Sequence, residues 1–450
     1  MLLVQLGQSF SSLKHRNFKR FILGQSISLI GTWVQNIAKP WLVLELTGSP
    51  LLLGITVAAQ TFPQMIFTIF AGSLIDHLPK KKILLATQSV FMFLALLLSL
   101  LVFTGWVEFW HVLVIALLFG TNSAIDMPAR QAYMIELVGR KDLMNAIGIN
   151  STIFNLARVV GPSIGGLLIA SLGIAACFLI NGLTYIAVIY GLILIDAPFK
   201  IQVVERINLR LLIHDMVEGI RYVLNKKNMR YIFSLFFFIG IFALNFNVLN
   251  PVLAKSDFQM GAAGLSILMA CMGAGALTGA LMIIFLKTKK AVLNRIFAIA
   301  AALSISQIFM GLSPYFWIAC IFMASTGLFM VLLSTQVNST IQLESDDQFR
   351  GRVVSFYVFV FVGVAPLGSI YSGSFSSWLG AQATYILSGS IALTATFLVW
   401  LKLQGKEGLV HIIQNFSRIG SRLIISENSW SRINGNRWSS KENQSFSAPS

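Results

Sequence analysis

Apolar stretches long enough to cross roughly 30 Å of hydrocarbon recur about twelve times along this chain, and nothing else in it limits the fold as tightly. They fall near 19–45, 51–75, 82–104, 109–126, 145–172, 174–195, 229–254, 262–286, 291–312, 315–340, 353–378 and 383–402. In lipid every backbone N–H and C=O must find a partner within the protein, so each stretch is expected to be a helix. The 450 residues are 56% hydrophobic and only 11% charged, with 35 Phe, which places most of the chain in the membrane. The expected fold class is an all-α membrane protein of twelve transmembrane helices in two pseudo-symmetric six-helix halves.

The division into halves rests on a repeat. Gly161-Pro162-Ser163-Ile164-Gly165-Gly166 interrupts the fifth stretch, and Ala365-Pro366-Leu367-Gly368 interrupts the eleventh about 200 residues later. Proline removes a helix hydrogen bond, and glycines strip one helix face of side chains, which permits both close packing and bending. A static tight crossing and a moving hinge both satisfy that pattern. The expected organisation is a cytoplasmic segment (1–18), a first half (19–195), a linker (196–228), a second half (229–402) and a polar, Ser- and Asn-rich tail (403–450) read as disordered. In the linker, Leu209, Leu212, Ile213, Met216, Ile220, Val223 and Leu224 recur at helical spacing, which predicts an amphipathic helix lying on the membrane surface.

Charge placement gives the orientation. Lys14, Arg16, Lys19, Arg20, Lys80 to Lys82, Arg130, Arg140, Lys141, Lys226, Lys227, Arg230, Lys287, Lys289, Lys290, Arg350 and Arg352 all fall in loops on one side, whereas the opposite loops clearly hold only Lys255. By the positive-inside rule that side, with both termini, is cytoplasmic. The net charge of +16 is thereby a topology signal and an attraction to anionic lipid, and its dispersal over loops argues against nucleic acid as a partner. The first ten residues lack a signal-peptide pattern. Cys177, Cys271 and Cys320 lie within apolar helices without CxxC spacing, so neither disulfides nor a metal site is expected.

Polar residues inside the spans are the next constraint. Gln25, Ser28, Thr32, Gln35 and Asn36 share one face of the first helix, too polar for lipid. The seventh carries Asn245, Asn247 and Asn250, the second Gln60 and Gln64, the fourth Thr121, Asn122 and Ser123, and the tenth Ser334, Thr335, Gln336 and Asn338. Such groups require either partners on neighbouring helices or a wet cavity. A large, mostly uncharged cavity interleaved with Trp33, Trp41, Phe62, Phe242 and Phe246 would suit a bulky amphiphile, with Gln35, Asn36, Asn122, Asn245 and Gln336 as candidate substrate contacts. Only Lys39, Glu45, Asp126 and Arg158 bring charge near the spans, where a central charge costs on the order of 3 kcal/mol or more. Arg158 is the candidate electrostatic anchor. Glu45 is a candidate to pair with Lys39, and Asp126 to cap the fourth helix; both are also the candidate coupling carboxylates.

The loop after the second span reads Gly72-Ser73-Leu74-Ile75-Asp76-His77-Leu78-Pro79-Lys80-Lys81-Lys82. A glycine, an aspartate four residues on and a basic cluster resemble the loop signature of the major facilitator superfamily, and the likeness runs over roughly residues 14 to 402. Glu45-Leu46-Thr47-Gly48-Ser49-Pro50, Asp126-Met127-Pro128-Ala129-Arg130-Gln131-Ala132, Glu218-Gly219-Ile220-Arg221-Tyr222 and Arg350-Gly351-Arg352-Val353 look like the branch holding the enterobactin exporter, macrolide-efflux proteins and transmembrane secretion effectors. The resemblance implies two rocking halves, a central passage lined by spans one, four, seven and ten, and export, because the stretch around Gly161 and Pro162 corresponds to a motif associated with antiporters. It makes Gly72 and Asp76 gate residues, with Arg130 or Arg352 as partners of Asp76, and Gly161, Pro162, Gly165 and Gly166 the hinge. Two departures stand out. The second-half copy of the loop, Gly279 and Leu281 before Lys287, lacks its aspartate, and the fourth-span arginine of many drug antiporters is missing, since 113–120 is uncharged.

No GxxxxGK loop, GxSxG elbow or HExxH helix appears, so neither ATP-driven nor enzymatic chemistry is expected and no cofactor is implied. The expectation is a monomeric secondary transporter of the bacterial cytoplasmic membrane. Its partners would be a small siderophore- or drug-like molecule and membrane lipids, and the sequence gives no sign of an outer-membrane efflux partner. Export by proton antiport leads; import by the same fold is the alternative.

Overall fold

In a computed structural model the described residues are 11–195, 209–285 and 293–438, with the side chains of 68–74, 76–77, 209–215, 284–285 and 405–438 excepted. Among them the chain forms helices and no strand. A single 3₁₀ turn, Ser11–Lys14, leads into α1 (Arg16–Thr47), followed by α2 (Pro50–His77), α3 (Lys80–Phe103), α4 (Phe109–Leu172) and α5 (Ile174–Ile193). The linker helix α6 (Leu209–Asn225) precedes α7 (Lys227–Ala243), α8 (Phe246–Val252) with a π turn at Leu253–Asp257, α9 (Gly261–Phe285), α10 (Leu293–Gly311), α11 (Phe316–Glu344) and α12 (Arg350–Trp438).

The Glu45 to Pro50 motif has a local job. Gly48 closes α1 in the left-handed region (φ 63°), the Ser49 hydroxyl accepts from Leu52 N at 3.4 Å, and Pro50 opens α2 at a position where its missing N–H costs nothing. Two elements are too long for one crossing. α4 has 64 residues, about 96 Å at 1.5 Å per residue, and must therefore turn back. It does so at Gly139, whose φ of 69° only glycine adopts cheaply. Neighbours confirm the reversal: before Gly139, Phe119 lies under Lys39 and Tyr133 against Phe21, so the chain descends α1. After it, Gly161 meets Ile30 and Trp33, and Gly165 meets Val34 and Ile37, so the chain climbs again. α12 repeats the device at Gly380 (φ 82°), with Phe356 stacked on Phe233 and Gly368 on Ile241 before it, then Ala381 bonded to Asp257 and Tyr385 to Asn250 after it.

Among the described residues nine helices are long and apolar enough to cross a membrane, and two of these nine turn back on themselves. With α1, more polar than the nine, the set is consistent with twelve crossings. The fourth span runs past its expected end at 126, because Ala129, Tyr133, Met134, Leu137 and Val138 bury a further apolar face and helix continues through Pro128. From Phe397 the chain is a separate unit, helical to Trp438.

The two ends of the bundle differ. At the far end, where α1 finishes, one hydrophobic core joins both halves, with Trp41, Leu42 and Phe178 from the first and Leu249, Leu253, Leu268 and Tyr385 from the second. Lys255 seals it, donating to the Leu44 carbonyl at 2.6 Å with its ammonium 5.7 Å from the Trp41 ring. At the near end, where α1 begins, the core of Phe18, Phe21, Ile83, Tyr133 and Leu192 belongs to the first half alone. Among the described residues, then, the core shared by the two halves lies at the far end.

Candidate functional site

Glycine spacing determines where the halves touch. Gly161 and Gly165 press on α1 of their own half, whereas a Cβ on Gly166 would stand 2.5 Å from the Ser266 Cβ of α9, across the interface. Facing them on α9, a Cβ on Gly273 would stand 3.0 to 3.2 Å from the backbone of Arg158 and Val159. The second contact mirrors the first: Gly368 presses on Ile241 and Asn245 of its own half, and a Cβ on Gly373 would stand 3.0 Å from the Gly54 Cα of α2. Thus the Gly161–Gly166 stretch has one side on the first helix of its own half and another on the opposite half, and in the second half Gly368 and Gly373 divide the same two contacts between them.

Between these contacts lies a cavity of about 230 Å³. Its wall is formed by Trp33 of α1, Arg158 of α4, Phe236 of α7, Met269 and Met272 of α9, Met330, Leu333 and Ser334 of α11 and Phe361 of α12. Leu244, Phe246 and Asn247 come from a break in the seventh span, where α7 stops at Ala243 and α8 restarts at Phe246. The break is stabilised locally. Gln307 Nε2 donates to the Ala243 carbonyl at 2.7 Å, and Asn245 Nδ2 to the Ile241 carbonyl at 2.5 Å. A short polar side chain that bonds its own backbone competes with helix, which explains an interruption with no glycine or proline at the point where it occurs.

The expected site residues separate into two groups. Arg158 lines the cavity, 9% exposed, its guanidinium 5.9 Å from the Trp33 ring centre and 3.9 Å from Met330 Sδ, with Nε unpartnered. Gln35 instead accepts from Asn181 Nδ2 at 2.6 Å, and Asn122 donates to the Thr87 carbonyl at 2.8 Å, so both bind helices of their own half together. Asn245 is buried at the break behind Gly368; Asn36 and Gln336 are half-buried and lie outside the cavity wall. Asn247, Ser334 and Trp33, members of the polar and aromatic sets, do line it, together with methionines that a sequence gives no reason to separate from ordinary core.

Charged candidates also resolve. Asp126, 3% exposed, accepts from Thr87 Oγ1 at 2.8 Å and Gln88 Nε2 at 2.7 Å and pairs with Arg130 one turn on. Glu45 is exposed at the far end of α1 and accepts from Trp41 Nε1 at 2.6 Å, while Lys39 bonds Gln60; the expected Lys39–Glu45 pair is not formed, because Lys39 points into the bundle. Arg352 has Glu218 of the linker helix as a partner at 2.5 Å. The side chains of Gly72, Asp76 and their neighbours fall outside the described residues.

The sequence pattern of the transmembrane secretion effector family matches residues 7–412. The chain belongs to that family. As a member of it, the protein is a multi-pass membrane transporter of the major facilitator fold and not an enzyme. It is 25% identical over 385 residues to the multidrug efflux pump Tap of Mycolicibacterium fortuitum, covering 82% of this chain and 92% of that one. The staphyloferrin A transporter of Staphylococcus aureus is 24% identical over 384 residues, covering 84% and 95% respectively. Among solved structures, the nucleoside transporter NupG superposes with a TM-score of 0.67 at 14% identity over 87% of this chain and 98% of that one, a likeness of fold alone.

Proposed function

We propose that this protein exports an amphiphilic small molecule, siderophore- or drug-like, across the bacterial cytoplasmic membrane by alternating access. One observation carries the proposal. A cavity sits between two halves whose shared core, among the described residues, lies at one end, and it is bordered by a broken helix and by glycine-faced contacts able to slide. The near end is assigned to the cytoplasm on the distribution of Lys and Arg, which makes this structure the inward-open state. The relative named as a multidrug efflux pump supports a drug-like substrate and the outward direction, and the one named as a staphyloferrin A transporter supports a siderophore-like substrate.

Gly161, Pro162, Gly165 and Gly166 act as the hinge in this account, and Gly72, Asp76, Arg130 and Arg352 as the near-end gate. Proton antiport is the proposed coupling. Asp126 is its better-placed carboxylate, buried against Arg130, whereas Glu45 is exposed at the far end. The test is accumulation of a siderophore and a panel of amphiphilic drugs in cells with and without the protein, before and after a protonophore. Lower accumulation that disappears with the protonophore is the expected result. Higher accumulation with the protein present would make it an importer, and insensitivity to the protonophore would remove proton coupling.

A further inference from the structure

The interior of the first half carries more positive charge than it neutralises. Lys39 and Arg158 are both buried in the membrane region, 7% and 9% exposed. Lys39 is held by the Gln60 side chain and the face of Phe119, 5.2 Å from its ring centre, neither of which bears a charge. Among the described residues the single buried carboxylate of that half, Asp126, is neutralised by Arg130. The second-half acids are engaged elsewhere: Asp257 accepts from Ala381 N at 3.2 Å, and Asp346 pairs with Lys226 at 2.9 Å.

Arg158 stands out within this excess because it lines the cavity. A guanidinium offers five N–H donors in a planar fork, and an uncompensated one inside a membrane protein is costly. Its contacts here are the thioether of Met330, a weak acceptor, and the ring face of Trp33, which favours a cation but accepts no strong hydrogen bond. Nε is buried and has no acceptor at all. The remaining wall is Phe236, Phe246, Phe361, Met269 and Met272, apolar and polarizable, with Asn247 and Ser334 as its neutral polar members. Among the described residues no carboxylate lines the cavity, so a cationic drug would meet aromatic faces there but no opposite charge, and Arg158 would repel it.

We infer that the cavity selects anionic amphiphiles, with Arg158 receiving the substrate's carboxylate through its guanidinium fork and the aromatic and methionine wall taking the apolar body. Carboxylate is the class that fits, because a single cation matches a single negative charge and a planar two-oxygen acceptor matches the fork. The inference rests on the transport reading above and narrows it. It separates this site from one that would bind amine drugs through an interior acid.

The experiment uses the full-length protein in nanodiscs and three matched probes, naphthylacetate, naphthylacetamide and naphthylethylammonium, with binding followed by equilibrium dialysis. The wild type is expected to bind the carboxylate about tenfold or more tighter than the amide, and the ammonium most weakly. Arg158→Gln should abolish the preference for the carboxylate while leaving amide affinity unchanged, and Arg158→Lys should retain part of it. A wild type that binds the amide or the ammonium as well as the carboxylate, or none of the three, overturns the inference without any variant having to fold. An Arg158→Gln protein that loses carboxylate and amide affinity equally also overturns it, assigning Arg158 to packing. The accumulation assay with neutral drugs stays independent: export there without anion preference in nanodiscs sinks the inference and leaves the transport reading standing.

Discussion

Gly166→Ala is expected to shift the protein away from the state described here without unfolding it. The added methyl would stand 2.5 Å from the Ser266 Cβ in the contact between the fifth span and α9, far below van der Waals separation. Such overpacking typically costs about 1–3 kcal/mol. Because the clash lies between halves, near the end where they share a core, the cost falls on the far-closed state and hardly at all on the folded state of either half. A bias of 1–3 kcal/mol corresponds to about a 5- to 150-fold change in the ratio of far-open to far-closed molecules. The assay is maleimide labelling from the far side of a cysteine at Asn247, an exposed cavity residue, in a background with Cys177, Cys271 and Cys320 replaced by alanine. Labelling should accelerate in Gly166→Ala and return toward the parent rate in Gly166→Ala/Ser266→Gly, since the next neighbour, the Ala262 carbonyl oxygen, is 3.8 Å away. Gly165→Ala is the control: its methyl would meet the Val34 carbonyl at 3.3 Å, inside its own half. If Gly166→Ala labels at the parent rate, or Gly165→Ala accelerates labelling equally, the interface reasoning is wrong.

Further expectations follow from particular contacts. Asp126→Asn strands Arg130 beside Thr87 and Gln88 and should lower stability by about 3 kcal/mol, the low end for a broken buried pair because Arg130 is 22% exposed; an unchanged thermal midpoint would contradict the buried-pair assignment. Gln35→Leu leaves the Nδ2 of the fully buried Asn181 without the acceptor it has in Gln35 and should cost about 1–3 kcal/mol of stability while leaving the substrate profile as it is; a changed profile would return Gln35 to the binding site. Pro162→Ala at matched expression should slow transport, and wild-type flux would remove Pro162 from the mechanism. On the near face, Lys226 and then Tyr222 hold the Asp346 carboxyl below its ordinary value. A depressed folded value contributes stability above the unfolded value and loses it only as pH falls through the folded one, so exchange protection of α6 should be flat from about pH 8 to pH 6 and fall in stronger acid. Loss of protection near neutrality would show that another group controls the linker.

Much of this arrangement is legible in the residues. Apolar length located the spans, the Gly161–Gly166 stretch marked a tightly packed helix face, and the Leu–Ile spacing of the linker located α6. What the residues could not separate was a polar group facing a cavity from one facing a neighbour, since either satisfies it in lipid. Gln35, Asn122 and Asn247 look alike in sequence; the first two turned out to be bonded across helices and the third to line the cavity. The break at Leu244 leaves no local mark in the residues because it is made by an asparagine bonding its own turn and by Gln307 from α10, a long-range partner. The fourth span outran its expected end because helix tolerated Pro128 where burial of Tyr133 and Leu137 continued.

Alternating access is tested most directly by two distances in one protein, measured by pulsed electron resonance on spin labels in nanodiscs. One pair, at Ser151 and Ser339, reports the near end, and the other, at Thr104 and Leu312, the far end; all four positions are exposed. On addition of a transported substrate with a proton gradient, the near-end distance should shorten as the far-end distance lengthens. Two distances that stay fixed under those conditions, or that move in the same direction, would contradict a transporter that rocks about the glycine contacts.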